Sequence, residues 1–206
     1  ETAGWLEQYM KHYKNAVVMV SHDRFFLDQT ADVVYELTGK GLRRYPGNYT
    51  HYREEKLKQI RLQKKAYERQ QEELARFLAG YVGFDFDCGV MAVSAHPFTT
   101  NLHNKDVRIT THYTDSVDSS LFSVIHEAGH GIYELGIRDD LTLTPAGQGA
   151  SMGMHESQSR FFENIIGRNR AFWVPIYKKV QEMFPGQLGQ VDPSRPSGRA
   201  YNRGQS

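Results

Sequence analysis

The sequence predicts a mainly α-helical fold with a few short strands, which belongs to the α+β class. Residues 49–79 are rich in charge and contain neither proline nor glycine, a pattern typical of one long helix. Residues 121–135 form an apolar run at helical spacing, and a second helical stretch opens at Ser151. Short apolar runs near the start of the chain have the length of strands. We therefore expect helices to dominate, with a few short strands in each half.

Composition and charge exclude several classes of protein. The 206 residues are 39% hydrophobic and 24% charged, which is the balance of a globular protein. The net charge of +1 argues against strong electrostatic attraction to nucleic acid or to a membrane, and no apolar stretch approaches the length of a membrane span. Cys88 is the single cysteine, so an internal disulfide is impossible and a reducing, cytoplasmic location is expected.

The first part of the chain is expected to contain two strands and a long helix. Residues 16–20 form a short apolar run that predicts a buried strand, and residues 33–37 predict a second strand. Residues 39–47 are rich in turn-forming types. In the helix predicted at residues 49–79, basic and acidic side chains are interleaved, which favours a solvated surface of modest net basicity.

Two short motifs in this part resemble those of a known family. Residues 21–28, Ser-His-Asp-Arg-Phe-Phe-Leu-Asp, and residues 45–49, Tyr-Pro-Gly-Asn-Tyr, are similar to motifs of the ABC-F class of ATP-binding cassette proteins. The resemblance covers residues 5–78. It implies a partial α/β ATPase fragment in which His22 would contact the terminal phosphate of ATP, followed by a helical linker that would reach into the ribosome.

The same sequence sets limits on an ATP-binding function. No G-x-x-x-x-G-K-[ST] phosphate loop occurs in the chain, so we expect no detectable binding of ATP by this chain alone. The alternative for His22 is a capping or loop histidine after a strand, and we favour it. Because residues 49–79 are only modestly basic, an association with RNA or the ribosome through this helix is expected to be weak.

The most informative chemical feature of the chain is the motif H-E-x-x-H at residues 126–130. Positions four apart lie on one face of a helix, so His126 and His130 can offer imidazole nitrogens to the same ion. Glu127 lies on nearly the same side, where it can take a proton from a water that the ion activates. The alternative is an amphipathic helix with two surface or hydrogen-bonded histidines.

A catalytic zinc ion usually has three protein ligands, and Glu156 is the candidate for the third. It lies thirty residues beyond His126, a separation that suits a helix, a loop at residues 137–149 and a second helix packed antiparallel to the first. His155 and Glu163 are rival ligands, and Glu163 is equally suited to support a ligand histidine. The sequence therefore predicts a zincin-like helix pair that carries the metal site.

A second resemblance covers residues 83–185. Five short motifs occur there in the order and approximate spacing of the carboxypeptidase Taq family of metallopeptidases. They are Gly83-Phe84-Asp85-Phe86, His96-Pro97-Phe98-Thr99, Asp106-Val107-Arg108-Ile109-Thr110, His126-Glu127-Ala128-Gly129-His130 and His155-Glu156-Ser157-Gln158. Five ordered motifs make this resemblance much more specific than the zinc motif alone.

The resemblance implies an activity and a site. The family removes single residues from the C-termini of peptides and uses zinc or cobalt, so a peptide is the implied substrate. By motif, His126, His130 and Glu156 would be the metal ligands, and Glu127 would be the general base. The chain is thus expected to contain a zinc-dependent metallocarboxypeptidase fragment.

His96 and Arg108 fall in two further motifs of that family, and each has a second interpretation. An exopeptidase must recognise a free carboxylate, and the planar guanidinium of Arg108 suits this task. A strand arginine in a surface ion pair is the alternative, because residues 107–113 alternate as a half-buried strand does. For His96, which precedes a proline, the alternative to substrate binding is a loop histidine that hydrogen-bonds to backbone.

The two resemblances divide the chain into four predicted parts. They are an ATPase fragment at residues 1–48, a linker-like helix at 49–79, a metallocarboxypeptidase catalytic fragment at 83–185 and a tail at 186–206. The tail is rich in Gly, Pro, Ser and Arg and is expected to be disordered. Two later motifs of the carboxypeptidase family are missing, so weak turnover or none is expected. We interpret the chain as a fusion or chimera, with a non-functional composite of two family fragments as the remaining alternative.

Overall fold

The structure, a computed structural model, describes residues 2–114, 117–149 and 151–188. The chain divides into two compact units, residues 1–66 and residues 67–206, termed unit 1 and unit 2. Helices dominate the described residues and short strands accompany them, so the predicted α+β class is confirmed. Most of the tail that was predicted to be disordered lies outside the described residues.

Unit 1 contains two short helices and one antiparallel hairpin. Its elements are α1 (Thr2–His12), α2 (Arg24–Thr30), β1 (Val33–Thr38) and β2 (Gly41–Pro46). The side chain of Asp23 accepts a hydrogen bond from the backbone amide of Phe26 and so caps the start of α2. The strand predicted at residues 33–37 is confirmed as β1.

The strand predicted at residues 16–20 is wrong. These residues have no regular structure, and the side chains of Val18 and Val20 are 98% and 95% exposed. A strand needs a neighbour for its backbone hydrogen bonds, and in the described part of the chain β1 and β2 pair only with each other. The run therefore has the composition of a strand but lacks the sheet that a strand requires.

A polar and aromatic cluster holds unit 1 together. Tyr45 is the one buried residue among residues 4–66. Its hydroxyl donates to Oε2 of Glu36 at 3.2 Å, and Lys56 forms an ion pair with the other oxygen of that carboxylate. The ring of Tyr52 packs edge-on against Tyr45, with 4.9 Å between the ring centroids. Unit 1 is thus stabilised around one tyrosine and has no extended apolar core in its described residues.

Helix α3, Tyr49–Tyr81, is the longest element and runs from unit 1 into unit 2. The helix predicted at residues 49–79 is confirmed and ends two residues later. Its buried side chains all belong to its last third, and they are Gln71, Leu74, Ala75, Leu78 and Ala79. Gly83 follows with a φ of +108°, a left-handed conformation that suits the end of a helix and favours glycine.

Unit 2 contains a three-stranded mixed sheet. Its strands are β3 (Gly89–Val93), β4 (Thr99–His103) and β5 (Asp106–Thr111), in the order β3-β5-β4. The strand β3 runs parallel to β5, and β4 runs antiparallel to it. The strand predicted at residues 107–113 is confirmed as β5, in which Val107 and Ile109 are buried.

The predicted helix pair, α4 and α5, also lies in unit 2. The helical elements that follow β5 are α4 (Val117–Leu135), a 3-10 turn (Pro145–Gly147), α5 (Met152–Arg160), a π-helix (Phe161–Gly167), α6 (Arg170–Trp173), α7 (Tyr177–Met183) and α8 (Pro185–Leu188). Helices α4 and α5 pack so closely that a Cβ added at Gly129 would lie 2.9 Å from the Cα of Ser159. Because the Cβ would meet backbone, which cannot move aside as a flexible side chain can, the close packing of α4 and α5 requires glycine at position 129.

Two apolar clusters form the core of unit 2. The first includes Ala75, Ala79, Phe84, Val107, Ile109, Val124 and Ala128, and joins the sheet to α3 and α4. The second includes Leu74, Leu78, Leu121, Ile176, Val180 and Phe184, and joins α3 and α4 to α7 and its flanking residues. Full burial of one such leucine or phenylalanine contributes about 1.5–3 kcal/mol, so these clusters fix the position of α4.

Ile125 is fully buried in α4, whereas Met152, in the first turn of α5, is 81% exposed. None of the described helices is both long enough and apolar enough to cross a membrane.

Candidate metal centre

Two helices of unit 2 bring three side chains to one point. Helix α4 carries His126 and His130 four residues apart, and α5 carries Glu156. The Nε2 atoms of His126 and His130 lie 3.6 and 3.4 Å from Oε2 of Glu156. One ligand atom from each residue lies within 4.8 Å of the other two. The structure thus brings together the three residues that the sequence predicted as metal ligands.

The chemistry and spacing of these side chains fit a divalent ion. Two imidazoles and one carboxylate form the ligand set of several hydrolytic zinc sites. The ligand atoms of a tetrahedral zinc ion are about 3.3 Å apart, given its usual bond lengths, and the two contacts to Glu156, 3.6 and 3.4 Å, are close to that separation. Within the described residues, this is the one group of three or more His, Cys, Asp or Glu side chains able to hold a metal.

Hydrogen bonds hold the outer atoms of two of these side chains. The Nδ1 atom of His126 lies 3.0 Å from Oε2 of Glu163, whose other oxygen accepts from Arg168 at 3.1 Å. The Nε atom of Arg160 donates to Oε1 of Glu156 at 2.7 Å. With these outer atoms occupied, the Nε2 atom of His126 faces the Oε2 atom of Glu156, which also accepts a hydrogen bond from the Ser159 hydroxyl at 3.3 Å.

The two rival ligands occupy supporting positions. Glu163 contacts the Nδ1 atom of His126, whereas Glu156 faces its Nε2 atom, and His155 contacts His130 and Glu134. The sequence left open whether either residue would bind the metal. In the structure, neither belongs to the group able to hold an ion.

Glu127 is buried beside the three candidate ligands. Its side chain is 7% exposed, and the Thr99 hydroxyl donates to its Oε2 atom at 2.6 Å. Burial raises the pKa of Glu127, and the hydrogen bond from Thr99 partly opposes that rise. The carboxylate is therefore oriented by a strand residue and is a stronger base than an exposed glutamate.

The surroundings also set the charge of two candidate ligands. Burial, with the neighbouring imidazoles of His155 and His126, lowers the pKa of His130 to about 4. Its ring is then neutral near pH 7, as metal binding requires. Burial by itself would raise the pKa of Glu156, but the hydrogen bond from Arg160 and the attraction of His126 lower it below its ordinary value. Both residues are thus held in the protonation state that a metal needs.

Three other predicted site residues make different contacts. The guanidinium of Arg108 donates to both carboxylate oxygens of Asp106 at 2.8 and 2.9 Å, which is the ion pair that the sequence left open. His96 lies exposed between β3 and β4, and its carbonyl accepts from the Ser94 hydroxyl. His22 lies exposed in the bend before α2, in unit 1. Their roles in substrate or nucleotide binding stay predictions.

Sequence reasoning missed three supporting residues. Thr99 bonds to Glu127, and Asn101 bonds to Glu134 at 2.6 Å. The alternation of Thr99 and Asn101 along β4 is a signal that both side chains share one face of the sheet. What the sequence could not provide is the position of that face against α4.

A model of the carboxypeptidase Taq (M32) metallopeptidase family matches residues 23–203. The match covers far more than half of the chain. The chain belongs to this family. The matched range also extends beyond the predicted residues 83–185, which agrees with the contribution of α3 to the core of unit 2.

Individual members of the family show the same relationship. Carboxypeptidase 1 of Bacillus subtilis (strain 168) is 48% identical over 122 residues, which are 59% of this chain and 24% of that protein. An M32 carboxypeptidase from Deinococcus radiodurans R1 is 40% identical with a TM-score of 0.58, over 61% of this chain and 25% of that one. The crystal structure of BsuCP is 32% identical with a TM-score of 0.59, over 93% of this chain and 39% of that one. The chain spans about a quarter of the length of the curated carboxypeptidases it matches.

A separate segment of the chain is similar to ATP-binding proteins. It is 42% identical over 76 residues to the putative ATP-binding protein YdiF of Bacillus subtilis (strain 168), which are 37% of this chain and 12% of that protein. It is also 39% identical over 75 residues to the ribosome protection protein VmlR of the same strain, or 36% of this chain and 14% of that protein. Both resemblances inferred from short motifs are therefore confirmed.

Proposed function

We propose that unit 2 binds a zinc ion through His126, His130 and Glu156. The observation that supports this most directly is the approach of two Nε2 atoms to one carboxylate oxygen, at 3.6 and 3.4 Å. Membership of a metallopeptidase family supports a divalent metal in general. Two imidazoles with one carboxylate favour zinc, and cobalt is the second ion compatible with this ligand set.

The proposed reaction is the release of single residues from the C-termini of peptides. When bound, a zinc ion supplies a Lewis acid and a water whose pKa is lowered to about 7. The chain itself supplies the group that moves the proton, and Glu127 is that group in this proposal. Burial strengthens Glu127 as a base, and Thr99 holds one of its carboxylate oxygens at 2.6 Å.

Two measurements on the full chain test the metal site and the base separately. Zinc content after dialysis should be one equivalent for the wild type and should fall to background in His126→Ala. The Glu127→Gln variant should retain its zinc, because Glu127 is not among the three ligands. The peptide hydrolysis of the wild type is expected to be weak, and in Glu127→Gln it should fall by about a further 10²–10⁴-fold.

The control for both measurements is Glu182→Gln, which removes an exposed carboxylate in α7. It should change neither zinc content nor hydrolysis. Absence of stoichiometric zinc in the wild type, or equal zinc in His126→Ala, would overturn the metal site. Unchanged hydrolysis in Glu127→Gln would overturn the role of the base and leave the metal site standing.

A second candidate function rests on the similarity of a separate segment to ATP-binding proteins. This proposal is a residual association with ribosomes through the basic side chains in the first part of α3, such as Arg53 and Arg61. Calorimetric titration with ATP should show no binding. Co-sedimentation with ribosomes should be weak and should disappear as salt is raised, because exposed charges are screened. Salt-resistant co-sedimentation, or none at low salt, would contradict it.

A further inference from the structure

We propose that a hydrogen-bonded chain behind His130 fixes the tautomer of that ligand and thereby sets the metal affinity of the site. The members of the chain are Asn101, Glu134 and His155. The inference rests on the proposed binding of a metal by His130 and adds residues that position it. Two observations carry it, which are the direction in which the hydrogen bonds must run and the burial of Glu134.

Three short contacts connect strand β4, helix α4 and helix α5. The Nδ2 atom of Asn101 donates to Oε2 of Glu134 at 2.6 Å. The Nε2 atom of His155 lies 2.6 Å from Oε1 of the same carboxylate. The Nδ1 atoms of His155 and His130 lie 2.6 Å apart. Both oxygens of Glu134 and both ring nitrogens of His155 are thus engaged.

The chemistry of these groups allows the protons only one arrangement when Glu134 is ionised and the imidazoles are neutral. A carboxylate accepts hydrogen bonds and cannot donate, so the Nε2 atom of His155 carries the proton. A neutral imidazole has a single N–H, so the Nδ1 atom of His155 accepts. The Nδ1 atom of His130 must then donate, and its Nε2 atom keeps a free lone pair. That Nε2 atom is the one that faces Oε2 of Glu156, at 3.4 Å.

The surroundings hold His155 in this position. Its ring lies between the rings of Tyr133 and His130, each with a centroid distance of 4.7 Å. A Cβ added at Gly149 would lie 3.2 Å from the Cδ2 atom of His155, so glycine leaves room for the ring. The side chains of His155 and Glu134 are 16% and 10% exposed, which leaves water little opportunity to offer other partners.

The charge of Glu134 gives a second reason for the chain. Its described hydrogen-bond partners are an amide and an imidazole, and neither is a lysine or arginine. A buried carboxylate without a positive partner is unfavourable. A cation at the Nε2 atom of His130 would supply the opposite charge through His155. Glu163, which supports the other ligand histidine, differs because Arg168 already neutralises it.

The first test determines the tautomers without any metal. Long-range ¹H–¹⁵N spectra of the full chain with labelled histidines, at a pH where the rings are neutral, report which nitrogen carries each proton. We expect the proton on Nδ1 of His130 and on Nε2 of His155. A proton on Nε2 of His130, or an averaged mixture of both forms, would overturn the inference.

The second test measures the zinc dissociation constant by competition with a chromophoric chelator. Loss of a residue that orients a metal ligand typically weakens binding by about 10–100-fold, and we expect a loss of this size in Glu134→Gln. The matched control is Glu182→Gln, which should leave the constant unchanged. Circular dichroism of each variant verifies that it is folded.

A double variant decides whether Glu134 acts through His155. The His155→Phe variant keeps a ring between Tyr133 and His130 but cannot hydrogen-bond, so it should lose a similar factor in affinity. In that background, Glu134→Gln should cause little further loss of zinc affinity, because the hydrogen-bonded chain is already broken.

An unchanged dissociation constant in folded Glu134→Gln would overturn the inference. So would a double variant in which the two fold-losses of affinity multiply. Absence of zinc binding by the wild type would instead overturn the proposed function, and the tautomers of the metal-free chain would still decide the present inference.

Discussion

Units 1 and 2 differ in what they do with their apolar side chains. Among residues 4–66, unit 1 buries Tyr45 alone, and it leaves Val18 and Leu37 exposed by 98% and 82%. Unit 2 buries fourteen apolar residues in its described part and arranges most of them in two clusters against α4. Both units contain motifs that resemble a known family. Only in unit 2 does a packed core hold the motif residues at fixed distances from one another.

This difference shows why similarity and chemistry have to be judged separately. One segment of the chain is similar in sequence to ATP-binding proteins, but this similarity alone does not position any catalytic group. His22, the candidate residue for contact with ATP, is exposed. The similarity to carboxypeptidases is accompanied by three side chains that converge within 4.8 Å. The two units are therefore expected to differ in stability as well as in their motifs.

The largest expected effect concerns core burial in the two units. Leu78→Ala should destabilise unit 2 by about 2–5 kcal/mol, because Leu78 is fully buried. The matched change Leu37→Ala, at an exposed position of β1, should lie within about 0.5 kcal/mol of zero in unit 1. Hydrogen–deuterium exchange read by mass spectrometry gives each unit its own opening free energy. Equal losses of stability from the two substitutions would show that burial does not distinguish the two units.

Zinc should stabilise one unit and not the other. At free zinc one hundred times the dissociation constant, the folded state of a binding protein gains about 2.7 kcal/mol. All three candidate ligands belong to unit 2, so exchange should slow in its peptides and should recover when a chelator is added. The His126→Ala variant should show no change with zinc. A uniform response across residues 1–66 and 67–188 would contradict the assignment of the site.

The two parts of α3 should differ in protection although they form one helix. Amides of Leu74 and Leu78 lie in the buried last third, whereas Arg53 and Arg61 lie in a solvated stretch. Because local opening is easiest where few apolar contacts are broken, we expect exchange to be at least about tenfold slower at residues 71–79 than at residues 53–61. Nuclear magnetic resonance resolves the individual amides. Uniform protection along the helix would show that the contrast between the units is smaller than burial suggests.

The smallest expected effect lies in the polar cluster of unit 1. Lys56→Met removes the ion pair with Glu36 and should cost at most about 1 kcal/mol, because the lysine side chain is 41% exposed. The effect should shrink at high salt. Lys58→Met is the matched control, since its contact with Glu55 is longer, at 3.7 Å, and more exposed. A loss several times larger would mean that unit 1 depends on this ion pair as much as unit 2 depends on its core.

The sequence predicted the elements whose information is local. The helix at residues 49–79 follows from composition, and the spacing of His126 and His130 follows from helical periodicity. Glu156 was predictable because one loop separates two helices. The strand at residues 16–20 failed because a strand depends on neighbours that the run itself does not specify. The role of Glu134 depends on how α5 lies against α4, which no local pattern encodes.

The close contact at Gly129 has a consequence for how the H-E-x-x-H pattern is read. The two positions written as x are conventionally unrestricted. In this chain, however, Ala128 is fully buried, and a Cβ at Gly129 would collide with the backbone of α5. Any larger side chain at the second of these positions would push α5 outward and carry Glu156 away with it. In this chain the motif is therefore H-E-x-x-H with a small residue and then a glycine at the two x positions. A search or a graft that keeps only the two histidines and the glutamate would omit the space that lets α5 place Glu156 beside them.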